Sequence, residues 1–231
     1  MTNRRKIAQI RELVRKRREP SAGSPLSGYT VPYSKIGDFH GSAFDFDDHV
    51  VPWSKTASNL SPRIMLIAQD WASEDFLSGE FDQDQFEFGY TPSLPSNQNL
   101  FRLLREHLHT TFEETFATDA FVFIKPGNMT ETINIRDMRR SAFEYALPQI
   151  EIIKPRVVLC IGSSAYNAIR FSQGCRYASI ASSLGEAPLR VGSIPVFGVH
   201  HTGGLATLFA GGPEAQDRQW ARLAAMIQKL C

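Results

Sequence analysis

The chain has 231 residues, 42% of them hydrophobic, and a formal net charge of +1. This length suits one domain with a single large core, and the composition is typical of a globular protein. No apolar run approaches the ~20 residues that cross a bilayer, so no membrane partner is expected. The near-neutral balance also excludes a chain that is polycationic throughout.

The N-terminus predicts a basic helix. Between residues 4 and 18 there are eight lysines and arginines and one acid, Glu12. Such a helix could lie along phosphates, or it could be a solvated helix that packs through its apolar residues; both interpretations stay open. The segment lacks the apolar core and cleavage site of a secretory signal. A stretch rich in Pro, Gly and Ser follows, so we expect a helix and irregular arm at 1–34 and a single domain at 35–231.

The three cysteines predict no metal site and no structural disulfide. Cys160, Cys175 and Cys231 lack metal-ligand spacing, and a reducing, cytoplasmic setting is the simplest interpretation. His40 and His49 lie in an acidic stretch, but their spacing fits no standard metal site either. We therefore expect no metal and no cofactor, and we interpret that stretch as surface.

From residue 63 onward, strand patterns alternate with helix patterns. Four short apolar runs predict strands, at 63–68, 120–126, 156–162 and 193–201. Helical spacing or composition predicts helices at 99–112, 141–155, 163–171 and 213–230. Apolar strands separated by helices are typical of a parallel sheet that is covered on both faces. We therefore predict a three-layer α/β/α fold with a mainly parallel, roughly four-stranded central sheet.

Polar residues follow the end of each predicted strand, at 69–71, 125–128, 162–164 and 200–202. In an open parallel sheet, ligands bind beyond the carboxyl ends of the strands. The architecture should therefore collect these groups around one cleft, although they are far apart in sequence.

Four segments, in order along the chain, resemble the motifs of the uracil-DNA glycosylase superfamily. They are AQDWAS (68–73), FGYTPSLPSNQNLFRLL (88–104), LPQIEIIKPRVVLCIGSSAYNAI (147–169) and GVHHTGGLATLFAGG (198–212). In order, they resemble the first active-site motif, the aromatic stacking residue with its Pro-Ser loop, the central strand with its flanking helices, and the His-Pro-Ser motif with its DNA-penetrating loop. Each segment alone is weak, but four in order on one predicted architecture are reasonably specific.

This resemblance implies a monofunctional DNA glycosylase that flips uracil or a related deaminated base out of DNA and hydrolyses its N-glycosidic bond with water. Asp70 would position the water and stabilise the cationic sugar, and His200 would stabilise the departing base anion. His201 is the alternative occupant of the histidine position. The protein would act as a monomer on DNA.

The resemblance also implies two sets of binding residues. The base pocket would be formed by Gln69, Trp71, Phe88, Lys125 and Asn128, with Phe88 stacking on the base. DNA would be contacted by Ser96, Ser163, Ser164, Thr202 and Leu205. The serines would bind phosphate, two of them at a helix start, and Leu205 would be the apolar wedge.

The chain also departs from the superfamily's patterns. Trp71 and Ala72 stand where some members carry Pro-Tyr, and Lys125 and Asn128 lie near the place where others read uracil with an asparagine. The cysteines of the iron–sulfur branch are absent from the sequence. Two other functions therefore stay open: a catalytically silent DNA-binding or interaction member of the same fold, and a nucleotide or phosphoester hydrolase. Asp70 could also be a simple helix cap.

Overall fold

A five-stranded sheet forms the centre of this computed structural model, which describes residues 1–18, 28–185 and 187–230. The strands are β1 Ile64–Asp70, β2 Phe116–Phe121, β3 Val157–Ile161, β4 Leu189–Val191 and β5 Ile194–Val199. Their order across the sheet is β2-β1-β3-β5-β4, and only β4 is antiparallel to its neighbour. The predicted α/β class is confirmed, with five strands rather than four. The fifth, β4, is a short, partly exposed edge strand without an apolar run.

Helices cover both faces of the sheet. They are α1 Asn3–Arg18, α2 Ser54–Ala57, α3 Glu74–Leu77, α4 Gln83–Phe88, α5 Pro95–Leu108, α6 Ile135–Ser141, α7 Leu147–Ile153, α8 Ser163–Ser172, α9 Ile180–Ser183, α10 Gly204–Phe209 and α11 Pro213–Leu230. Short 3₁₀ turns occupy Ile36–Asp38 and His40–Ser42, and a π turn at Ala142–Ala146 joins α6 to α7. One buried cluster unites α1, α6, α7 and α8 with the sheet, and a second unites α5 and α11 with its other face. No helix in these ranges is long and apolar enough to cross a membrane.

The position of β2 corrects the predicted strand at 120–126. Pairing with β1 covers Phe116–Phe121, whereas the apolar run continues, buried, to Ile124. Beyond the strand, the backbone amide of Val122 donates to Ser141 Oγ (3.1 Å), and that of Ile124 donates to the carbonyl of Ser34 (2.9 Å). The part of the apolar run after Phe121 is therefore buried against other segments and is not paired in the sheet. An apolar run predicts burial, and burial can extend beyond the last paired residue of a strand.

Helix α1 packs into the same core as the rest of the chain. Ile10 is buried, and Lys6 Nζ donates to the carbonyl of Ile153 at 2.8 Å. Arg17 forms a buried ion pair with Asp45. Two of the positive groups of α1, those of Lys6 and Arg17, therefore bind partners inside the protein. This favours the packing interpretation over a phosphate-binding arm. Most of the predicted irregular arm, at residues 19–27, lies outside the described residues.

Candidate active site

A cavity of about 430 Å³ lies at the carboxyl ends of the strands, on the face covered by α5. Residues of β1, the end of β3 and the segment after β5 line it. Five aromatic side chains line it, those of Trp53, Trp71, Phe76, Tyr90 and Phe112. Flat apolar walls with a few polar groups suit a planar, ring-shaped ligand.

Asp70, the last residue of β1, is the one carboxylate that lines this cavity among the described residues. Its Oδ1 accepts a hydrogen bond from Gln69 Nε2 at 2.7 Å, and its Oδ2 lies 2.8 Å from Lys125 Nζ. The Asp70 side chain is 5% exposed and that of Lys125 is 2% exposed. The cation offsets the cost of burying the anion. Asp70 does not cap a helix, because the N-cap position of α3 is held by Ser73.

Lys125 is fixed behind Asp70 rather than in the cavity wall. Its Nζ also donates to the carbonyl of Met129 at 2.7 Å, and its own carbonyl accepts from the amide of Glu74 at 2.9 Å. Asn128, the other residue predicted near this point, is exposed, and its Oδ1 accepts from the backbone amide of Thr130 at 2.8 Å. Neither side chain lines the cavity, so the structure does not bring either to the predicted base pocket.

The structure places His201 in the cavity wall, and His200 outside it. His201 Nδ1 accepts the backbone amide of Gly203 at 3.0 Å. Desolvation by the surrounding protein lowers the pKa of His201, and the charge of Asp70 opposes that shift. The imidazole is therefore neutral near pH 7, and with Nδ1 accepting, we infer that its proton is on Nε2. His200 instead has its backbone amide bonded to Gln219 Oε1, and burial lowers its pKa too.

Of the other predicted pocket residues, Trp71 lies in the cavity wall, and Gln69 and Phe88 do not. Trp71 lines the cavity, and its Nε1 donates to the carbonyl of Gly89 at 3.0 Å, so that N–H is not free to read a base. Gln69 contacts the site only through Asp70. Phe88 lies outside the lining and packs on Tyr90, with ring centroids 5.9 Å apart. Tyr90, rather than Phe88, presents its ring to the cavity.

Of the predicted DNA contacts, Ser96 and Thr202 line the cavity. Ser163 and Ser164 are exposed at the start of α8, away from the lining, and Ser163 Oγ accepts from Asn167 Nδ2 at 3.2 Å. Leu205 is 70% exposed on α10, one residue after the Gly203–Gly204 pair. The side chain of Leu205 therefore faces solvent rather than the core.

Two residues that the motifs did not suggest also belong to the site. Trp53 lines the cavity, and its Nε1 donates to Asp119 Oδ2 at 3.1 Å. Burial raises the pKa of Asp119 well above its usual value; the hydrogen bond from Trp53 opposes the shift, and the charge of Asp70 adds to it. A signal for Asp119 was available, because it is a single acid inside the apolar stretch FATDAF. No comparable signal pointed to Trp53, because it precedes all four motif segments.

No protein-family model matches the chain, and a comparison with curated proteins finds no relative. Membership of the uracil-DNA glycosylase superfamily therefore stays a prediction from the four motif segments.

Proposed function

We propose that the protein hydrolyses the N-glycosidic bond of uracil, or of a related deaminated base, in DNA. The observation that supports this best is the placement of Asp70 and His201 in the wall of one aromatic cavity at the strand ends. A carboxylate and a neutral imidazole are the two groups that this bond cleavage needs, because the sugar becomes cationic while the base departs as an anion. The order of the motif segments supports the same reaction.

Asp70 positions the attacking water and stabilises the cationic sugar. Lys125 supplies the positive charge that pairs with the Asp70 carboxylate in its buried setting. Water, rather than Lys125, is the nucleophile, because Nζ is almost fully buried and is held by Asp70 and by the carbonyl of Met129. A lysine in that position cannot approach the sugar without breaking both contacts.

His201 stabilises the leaving base. With Nδ1 accepting from Gly203, its Nε2–H is available to donate to a base oxygen as negative charge develops there. The base stacks on the aromatic wall that includes Trp53 and Tyr90, and Leu205 fills the space that the flipped base leaves in the duplex. Since Lys125 and Asn128 lie outside the lining, the range of accepted bases is set by these walls and by His201.

One observation favours a second function, that of a catalytically silent DNA-binding member. Asp70 Oδ1 accepts a hydrogen bond from Gln69, and Oδ2 lies in an ion pair with Lys125 although it accepts no hydrogen bond in the described chain, which leaves fewer positions for a water. A phosphoester hydrolase has less support, because no lysine or arginine of the described chain lines the cavity, and phosphate sites normally present such cations.

The experiment is a nicking assay on oligonucleotides that each carry one uracil, hypoxanthine, xanthine or thymine mismatch, with alkali to cleave abasic sites. We expect cleavage with at least one base. Asp70→Asn should cut the single-turnover rate on the order of 100-fold or more, because it removes a group acting on the transition state. Its DNA affinity should persist. Binding without cleavage in the wild type would establish the silent alternative, and equal rates in the two proteins would remove Asp70 from the mechanism.

A further inference from the structure

Asp119 is a buried acid beside the site that the reaction above does not use. Its partner across the β1–β2 ladder is Ala68, and Asp70 lies two residues further along β1, so both acids project from the same face of the sheet. Asp119 is 0% exposed. Its Oδ2 accepts from Trp53 Nε1 at 3.1 Å, and its Oδ1 has no hydrogen-bond partner in the described chain.

The surroundings of Asp119 do not support a negative charge. No ion pair involves Asp119 among the described residues, and the buried cation of this region, Lys125, is paired with Asp70. The charged group that acts on Asp119 from the neighbouring strand is Asp70, and its sign is the same. Helix α2 and the turn before it contribute Thr56 Oγ1, bonded to the backbone of β2, and the uncharged indole of Trp53. A fully buried carboxylate with a single indole donor would be strongly unfavourable, so the neutral acid is the stable form.

We propose that Asp119 is a positioning residue that stays an uncharged carboxylic acid, holds Trp53 as a wall of the cavity, and leaves Asp70 as the only carboxylate of the site. The hydrogen bond to Oδ2 fixes the rotation of the indole ring. A second anion at this depth would repel the charge of Asp70, which already acts on Asp119 from the neighbouring strand. The role in catalysis rests on the proposed function, whereas the protonation state does not.

The first test measures folding and is independent of any activity. Urea unfolding of the wild type and of Asp119→Asn is compared between pH 5 and pH 8. An unfolded aspartate loses its proton near pH ~4, whereas burial raises the pKa of the folded Asp119, so folding takes up a proton as pH rises above 5. The wild type should therefore lose stability relative to the variant as pH rises, with its unfolding equilibrium constant increasing by up to about tenfold per pH unit for as long as the folded acid keeps its proton. A constant ratio across this range would show that Asp119 is ionised and would overturn the proposal.

The second test uses the nicking assay. The amide of Asp119→Asn can still accept from Trp53, whereas Asp119→Leu cannot. We expect the asparagine variant to retain the rate within about threefold and the leucine variant to lose about tenfold, the equivalent of one hydrogen bond. If Asp119→Leu does not fold, the smaller Asp119→Ala removes the same acceptor and should give the same loss.

The pH profile reports the charge of Asp119 separately from its hydrogen bond to Trp53. With Asp119 uncharged, the acidic limb of the rate profile should coincide in the wild type and in Asp119→Asn. A limb displaced to lower pH in the variant would mean that a charge next to Asp70 had been removed, and would overturn the proposal. If the wild type cleaves no base, the proposed function fails, while the unfolding comparison still decides the state of Asp119.

Discussion

Replacing Lys125 by methionine tests the electrostatics of the site most directly. The side chain keeps a similar length, but the positive charge 2.8 Å from Asp70 Oδ2 is lost. Because Asp70 is 5% exposed, water cannot replace the lost partner, and a buried carboxylate remains without compensation. Breaking a buried ion pair in this way lowers the free energy of unfolding by about 3–5 kcal/mol. Asp70 can escape this cost only by taking up a proton, which would abolish its proposed role.

Urea unfolding at pH 8 and at pH 5 measures how much the Lys125→Met change lowers the free energy of unfolding. The loss should be largest at pH 8, where the unpaired carboxylate is hardest to protonate, and smaller at pH 5. In an Asp70→Asn background the same lysine change should cost much less, because no buried anion is left behind. Lys55→Met is the matched control: Lys55 is 38% exposed and lies 3.9 Å from Glu87, so its removal should change stability by less than ~0.5 kcal/mol.

A small loss at both pH values, or an equal loss in the Asp70→Asn background, would refute this reasoning. It would mean that Lys125 stabilises the loop through the carbonyl of Met129 rather than by pairing with Asp70.

Two further predictions concern the histidines and a glycine. His201→Ala should lower the single-turnover rate on the order of 100-fold, whereas His200→Ala should leave it within a few-fold, because only His201 lines the cavity; the reverse order would restore His200 to the active position. Gly89→Ala should destabilise the fold by more than ~2 kcal/mol, since φ is +82° and an added Cβ would lie 2.0 Å from the carbonyl oxygen of Pro52. Gly192→Ala (φ +58°, open space) carries backbone strain alone and should cost only about 1 kcal/mol in thermal unfolding; equal losses at both positions would contradict the steric argument.

The sequence predicted the strands well where an apolar run and a strand coincide, as in β1, β3 and β5. It misplaced β2 because burial beyond Phe121 does not require pairing with the sheet. The fold class followed from the alternation of elements and needed no exact boundaries.

The choice between the two histidines shows what the motifs could not decide. Phe197 and Val199 of β5 face the cluster under the cavity, and side chains alternate between faces along a strand. Continued two residues beyond β5, this alternation assigns His201 to the same face and His200 to the opposite one, which agrees with the lining of the cavity by His201. The alternation is visible in the sequence, but the face that carries the cavity is known only once β1 and β5 are seen in one sheet. The Phe88–Tyr90 exchange has a similar cause, since α4 ends in a left-handed turn at Gly89 that reverses the chain.

The attachment of α1 has a consequence for synthesis of the protein. Lys6 donates a hydrogen bond to the carbonyl of Ile153, which is synthesised 147 residues later. At ordinary translation rates this interval lasts on the order of 10 seconds. During that time the apolar side of α1, which includes Ile10 and Val14, lacks α7, the helix on which it packs. We expect the nascent helix to be a site for chaperone capture, released only when α7 leaves the ribosome.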